Sequence, residues 1–273
     1  MRPVRGKLRR AFGVAQEAAP GELSEDLRRH HARRARGLPE IELPDGEEIE
    51  NQRGVCFVRR QEYDLDHQHG ALPLGAVRAM DWGRVAELAR EPELELDLRQ
   101  CLFLDTETTG LSAGAGTVVF MCGLGFVERD RLVLEQVFMR AFGEEAAAML
   151  HVAQRLAEHP ALVTYVGKSF DRHRLASRMT MHKISSTVLT DRHLDLYHMA
   201  RRAWGSELPD VRLRTVEERR LGVFRDDDLP GSEAPYAFLS WLRDRTGRVD
   251  QVFEHNRLDV LSLVTLLAAL GAS

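Results

Sequence analysis

The sequence predicts an α/β fold, a mixed sheet flanked by helices with a small β-containing appendage in front of it. Three observations carry that expectation. Cys101-Leu102-Phe103-Leu104 is an unbroken apolar run ending at Asp105, the pattern of a central strand buried on both faces. Residues 117–127 and 132–139 are apolar and β-branched, and the charged Glu128-Arg129-Asp130 separates them as a hairpin turn would. After these early antiparallel strands the chain alternates strand and helix patterns, the order of an α/β protein rather than a bundle or sandwich.

Taken in order, residues 1–36 form a basic, helix-compatible arm poor in large apolar side chains. Arg28, Arg29, Arg33, Arg34 and Arg36, with His30 and His31, make a dense positive block. A solvated face is the ordinary reading of such a block, and a phosphate-binding arm is the sharper one. Residues 37–98 read as a small turn-rich appendage with one strand at Val55–Val58 and a short helix over 83–90. Residues 99–273 form the main domain. There, 143–158 carry helical periodicity closed by His159-Pro160, and Ala161–Val166 reads as a second buried strand. Helices are expected at 170–181, 193–204, 211–221, 235–245 and 250–270.

Composition bounds the function classes. The 273 residues are 44% hydrophobic and 29% charged, which suits a globular protein with a sizeable core. The longest apolar run, Val260 to Ala272, is shorter than the roughly 20 residues of a membrane span. No apolar stretch follows the basic N-terminus, so no signal peptide is expected. Cys56, Cys101 and Cys122 lack metal-ligand spacing, and Cys101 and Cys122 read as reduced core residues, so a cytoplasmic protein without membrane contact is expected. A net charge of −4 argues against a dedicated duplex-coating protein. It leaves room for an enzyme that grips a strand end through a carboxylate-rich pocket.

The chemistry-bearing residues fall in three segments. Asp105 and Glu107 stand two apart at a strand end, so both side chains leave the same face. Paired carboxylates there repel each other, and burying them uncompensated costs several kcal/mol per ion, by order of magnitude. A hard divalent cation such as Mg²⁺ or Mn²⁺ would relieve that cost. The alternative is an exposed pair in a turn. Asp171 follows Tyr165-Val166-Gly167-Lys168-Ser169-Phe170 at a strand–helix junction, where a carboxylate could also serve only the helix dipole. His255 and Asp259 are i, i+4 neighbours on the last helix and share a face.

Asp105-Thr106-Glu107-Thr108-Thr109-Gly110-Leu111, Tyr165 to Asp171 and His255 to Asp259 resemble, in that order, the three motifs of the DEDD (DnaQ-like) exonuclease superfamily. The chain is more closely similar to the YprB-type ribonuclease H-like proteins. Those carry phrases like Gly167-Lys168-Ser169-Phe170-Asp171, Leu229-Pro230-Gly231-Ser232-Glu233 and His255 to Ser262. The resemblance implies a ribonuclease H-like fold with a mixed five-stranded sheet. It also implies a 3′→5′ exonuclease in which Asp105, Glu107, Asp171 and Asp259 hold two Mg²⁺ or Mn²⁺ ions, Asp105 bridging both. His255 would orient or deprotonate the attacking water. Thr108, Thr109 and Gly110 would touch the terminal nucleotide, with Leu111 against its base and Lys168 and Ser169 near a phosphate. The implied partners are single-stranded 3′ ends of DNA or RNA, DNA favoured, with nucleoside 5′-monophosphates as products. Two other functions compete: a structure-specific endonuclease on the same scaffold, and a non-catalytic nucleic-acid-binding module.

Three positions depart from the family pattern. His255 precedes Asp259 by four residues, a spacing typical of the tyrosine subtype. Val166 replaces a frequent Asn, and His173 a frequent Pro. Of the remaining polar residues, Asp195 is expected to serve a helix start or to lie near the site. Asp64, Asp66, His67 and His69 are expected in an exposed loop rather than a metal cluster. Asp226, Asp227 and Asp228 are expected in a solvated acidic loop.

Overall fold

Side chains alternate sides along Cys101–Thr108, so Cys101, Phe103, Asp105 and Glu107 face one layer while Leu102, Leu104 and Thr106 face the other. That strand is the centre of the architecture. The computed structural model describes residues 40–94, 96–110, 116–189 and 191–272; the basic arm and Leu111 lie outside them.

The strands are β1 (Glu47–Asn51), β2 (Gly54–Asp64), β3 (Gln68–His69), β4 (Leu72–Pro73), β5 (Cys101–Thr108), β6 (Val119–Glu128), β7 (Arg131–Phe138), β8 (Ala161–Thr164) and β9 (His193–Asp195). Seven of them form one mixed sheet in the order β1-β2-β7-β6-β5-β8-β9. β5 pairs antiparallel with β6 and parallel with β8, and β9 joins β8 in parallel. The helices are α1 (Trp82–Ala89), α2 (Glu145–Glu158), α3 (Asp171–Met181), α4 (Leu196–Trp204), α5 (Leu213–Val216), α6 (Ala234–Asp244) and α7 (Val249–Leu270).

The sheet is the expected mixed one, with two refinements. β7–β6–β5–β8–β9 supplies five strands, and the β1–β2 hairpin extends them to seven. β7 is buried along nearly its whole length, so its outer edge needs a partner, and residues 57–64 of β2 provide one. The second refinement is at His193-Leu194-Asp195. These residues form a strand rather than the first turn of a helix, and the helix begins at Leu196, capped by the Asp195 side chain.

The two sheet faces bury separate cores. Cys101 and Phe103 pack with Val260, Leu263, Val264 and Leu267 of α7. Leu102 and Leu104 pack with Val152 and Leu156 of α2 and Leu175 of α3. Close approach of α7 to the sheet requires glycine in β6. A Cβ on Gly123 would lie 2.4 Å from Asn256 Oδ1, and one on Gly125 would lie 2.6 Å from Val260 Cγ1.

His69 departs from its expected exposed loop. It is buried, and its Nε2 lies 2.7 Å from Ser262 Oγ of α7, while Asp64, Asp66 and His67 are exposed. Burial, reinforced by Arg225 and Arg257, pushes its pKa down to about 4, so it is a neutral hydrogen-bonding group. A β-strand and two-residue ladder, β3–β4, carry it inward.

Candidate active site

The fold delivers the candidate residues on four elements. β5 ends with Asp105 and Glu107 on the face that α7 covers, and Asn256, His255 and Asp259 lie on that helix. A bulge between Glu107 and Thr108 interrupts the β5–β6 register as the strand leaves the sheet. Thr109 N–H donates to Val118 O at 2.9 Å, and Val118 N–H donates to Thr109 Oγ1 at 3.0 Å, so the loop is tied across its base. Thr108 Oγ1 donates to Gly110 O at 3.1 Å.

Asp171 opens α3, and Thr106 on the opposite face of β5 donates its hydroxyl to Asp171 Oδ1. Asn256 Nδ2 donates to Asp105 Oδ2 at 2.9 Å, while its Oδ1 accepts from Gln136 Nε2 at 3.0 Å. Asp259 Oδ1 lies 2.5 Å from Arg225 Nη2, and its Oδ2 lies 3.6 Å from His255 Nε2. Glu107 Oε1 lies 3.9 Å from the same His255 nitrogen. His255 Nδ1 lies 2.9 Å from Asp228 Oδ1.

Lys168 and Ser169 are placed by the turn after β8. Asp195 accepts from Val166 N at 2.9 Å and Lys168 N at 3.1 Å, so Asp195 braces this turn as well as capping α4. Lys168 Nζ pairs with Glu91 at 3.4 Å, and Ser169 Oγ donates to Val166 O at 3.3 Å.

Electrostatics mark the cluster as frustrated. Burial first, then repulsion from Asp259, Glu107 and Asp171, raises Asp105 well above the usual carboxylate range. Burial pushes Glu107 up to about 8, opposed by His255 and reinforced by Asp259 and Asp171. Burial lifts Asp171 to about 6 against the pull of its Thr106 hydrogen bond. Burial also opposes a charge on His255, yet Asp259, the Asp228 hydrogen bond and Glu107 outweigh it and raise His255 to about 10.

Among the described residues, no three His, Cys, Asp or Glu side chains are placed so that together they could hold a metal ion. The donor set nevertheless fits a divalent cation by its chemistry. Asp105, Glu107, Asp171 and Asp259 present hard oxygens; burial is the main cause that raises the first three, and repulsion from neighbouring carboxylates adds to it at Asp105 and Glu107. A cation relieves both.

Several polar residues here lie beyond the motif residues. Asn256 is fully buried in the apolar stripe that also holds Val252, Val260 and Leu263, and a polar residue in such a stripe is itself a sequence signal. Arg225 is buried as well. Asp228 corrects the expectation of a solvated acidic loop. Asp226 and Asp227 are exposed, but Asp228 turns inward to His255 and Arg225 because its neighbour Leu229 is anchored in the core beside Phe238.

Comparison with known proteins finds relatives of this chain. A family model of the RNase H superfamily matches residues 102–271. The chain is 33% identical over 215 residues to the protein YprB of Bacillus subtilis (strain 168), covering 77% of this chain and 52% of that protein. It therefore spans about half the length of that relative. A crystal structure of exonuclease I in complex with the inhibitor BCBP is similar at 16% identity and a TM-score of 0.37, over 57% of this chain and 43% of that one.

Proposed function

The chain belongs to the RNase H superfamily, and from that premise we propose that it is a two-metal-ion 3′→5′ exonuclease acting on single-stranded nucleic acid, DNA in preference to RNA. What supports the reading is that Asp105 on β5 is raised by burial and by the charges of Asp259 on α7, Glu107 on its own strand and Asp171 on α3. Bound Mg²⁺ or Mn²⁺ would supply an activated water and neutralise charge on the leaving 3′ oxygen. The protein's own share is orientation and proton handling. Asn256 and Thr106 fix one oxygen each of Asp105 and Asp171, leaving the others to face the site. With Nδ1 turned to Asp228, His255 aims Nε2 toward Glu107 and Asp259; bound cations would oppose the imidazolium charge, and the neutral ring could then take or orient a water proton. The backbone of Thr108–Gly110, which directly follows Asp105 and Glu107 in the chain, would contact the terminal nucleotide.

The test uses matched 5′-labelled DNA and RNA oligonucleotides, single- and double-stranded, with Mg²⁺, Mn²⁺ or chelator. A metal-dependent ladder ending in nucleoside 5′-monophosphates is expected, fastest on single-stranded DNA. Discrete internal fragments would instead indicate an endonuclease. Asp105→Ala and Asp171→Ala should each lower turnover by orders of magnitude with an unchanged circular dichroism spectrum. Near-wild-type cleavage by a folded Asp105→Ala protein would remove the two-metal assignment.

A further inference from the structure

We propose that Arg225 and Asp228 are positioning residues, a clamp behind α7 that sets the rotamers of Asp259 and His255. The two α7 side chains sit one helical turn apart, and each is held from behind by one member of a short loop segment. Arg225 Nη2 takes Asp259 Oδ1 at 2.5 Å, which turns Oδ2 toward the site. Asp228 takes His255 Nδ1 at 2.9 and 3.0 Å, which leaves Nε2 toward Glu107 and Asp259. Arg225 Nη1 also reaches Asp228 at 3.3 Å, so the two clamps are one unit.

Three anchors make this unit rigid. Arg225 also pairs with Glu217, whose side chain is 1% exposed, on the π-helical turn Glu217–Leu221 that follows α5. Ser262, three residues beyond Asp259 on α7, has its Oγ 2.7 Å from His69 Nε2, which ties the helix to β3. Leu229 is buried beside Asp228. A single π turn often marks a functional position, because it redirects side chains that a regular helix would leave pointing elsewhere. Partners of this kind, outside the reacting groups, fix tautomer and orientation and typically change activity or metal affinity about 10- to 100-fold when lost.

The roles of His255 and Asp259 rest on the exonuclease reading, but the clamp is tested without it. The Nδ1 proton of His255, held by a carboxylate, should give a far-downfield imidazole resonance in the proton NMR spectrum of the full chain. Asp228→Ala should abolish that resonance. It should also lower kcat about 10- to 100-fold, with KM for the strand and the Mn²⁺ affinity within about 3-fold of wild type. A resonance that persists in Asp228→Ala, or an unchanged kcat, overturns the role of Asp228. If wild type lacks nuclease activity, the exonuclease reading fails while the resonance still decides the clamp.

Arg225→Gln alone would strand Glu217 in the interior, so it is combined with Glu217→Gln. If Arg225 orients Asp259, the double variant should bind Mn²⁺ about 10-fold more weakly by calorimetry while keeping a cooperative melt. Tighter Mn²⁺ binding would mean that the guanidinium competes with the ion for Asp259, and would overturn its positioning role.

Discussion

Val166 shows how a single residue carries the cost of the site's geometry. Its φ is 66°, in the left-handed region that a β-branched side chain rarely adopts. The turn persists because Asp195 accepts from the amides of Val166 and Lys168 on either side. Such a conformation costs on the order of 1–3 kcal/mol. Asparagine tolerates it better than valine. Val166→Asn is therefore expected to stabilise the chain by about 1 kcal/mol, read as a higher urea midpoint at unchanged slope. A lower midpoint would show that the turn is not strained. At this scale the motif residues were legible because chemistry forces their type and spacing. Asp105 and Glu107 must alternate with buried side chains on a strand, and His255 and Asp259 must share a helix face. Asp228, Arg225 and Asn256 were not legible in the same way. Asp228 looks like one of three equivalent aspartates, and only the burial of Leu229 next to it turns it inward.

Elements were legible where the apolar pattern was long and obscured where tertiary pairing overrode it. β5, β6, β7 and α7 follow directly from their hydrophobic runs. β9 does not, because three residues are too few for a period and the apolar pattern of α4 begins immediately after. What makes His193–Asp195 a strand is the exposed edge of β8, with His193 Nε2 2.8 Å from Thr164 Oγ1 helping to join the two. The contact of α7 with β6 gives the prediction proper to this scale. A methyl on Gly123 would sit 2.4 Å from Asn256 Oδ1 and 2.7 Å from Val260 Cγ2. Gly123→Ala should thus push α7 outward, cost about 1–3 kcal/mol and loosen Asn256 from Asp105. Cleavage should fall along with stability. Gly143→Ala, where an added Cβ meets nothing within 4 Å, serves as the matched control. Equal melting temperatures for the two variants would show that the helix–strand contact is not tight.

For the molecule as a whole, the N-terminal hairpin looked separable in sequence because turn residues surround Val55–Val58. Its place on the edge of β7 is a long-range fact that local pattern does not encode. The same long-range assembly gathers the site's charges, and so couples global stability to pH and, under the proposed function, to metal. Glu107 rises from 4.5 to about 8, Asp171 from 3.8 to about 6 and His255 from 6.5 to about 10. Each folded-state pKa is raised above its unfolded value. Each group's stabilisation is therefore complete below the unfolded pKa and disappears as pH rises through the folded one. Glu135 works in the opposite sense. Burial alone would raise it, but hydrogen bonds from His151 and Arg155 hold it near 2, so its stabilisation is present above 4.5 and lost as pH falls. Chelator-treated protein should accordingly be most stable near pH 5 and melt progressively lower toward pH 9. A divalent ion binds the deprotonated carboxylates, so its stabilisation should grow across that same window. At a free Mn²⁺ concentration about 100 times its dissociation constant, linkage gives about 2.7 kcal/mol. For a chain of this size that corresponds to a rise on the order of 5–10 °C in melting temperature. Melting curves at pH 5.5, 7.0 and 8.5, with Mn²⁺ and with chelator, measure both trends together. A chelated protein that melts higher at pH 8.5 than at pH 5.5, or a Mn²⁺ shift no larger at pH 8.5, would mean that the four carboxylates do not form one cation site.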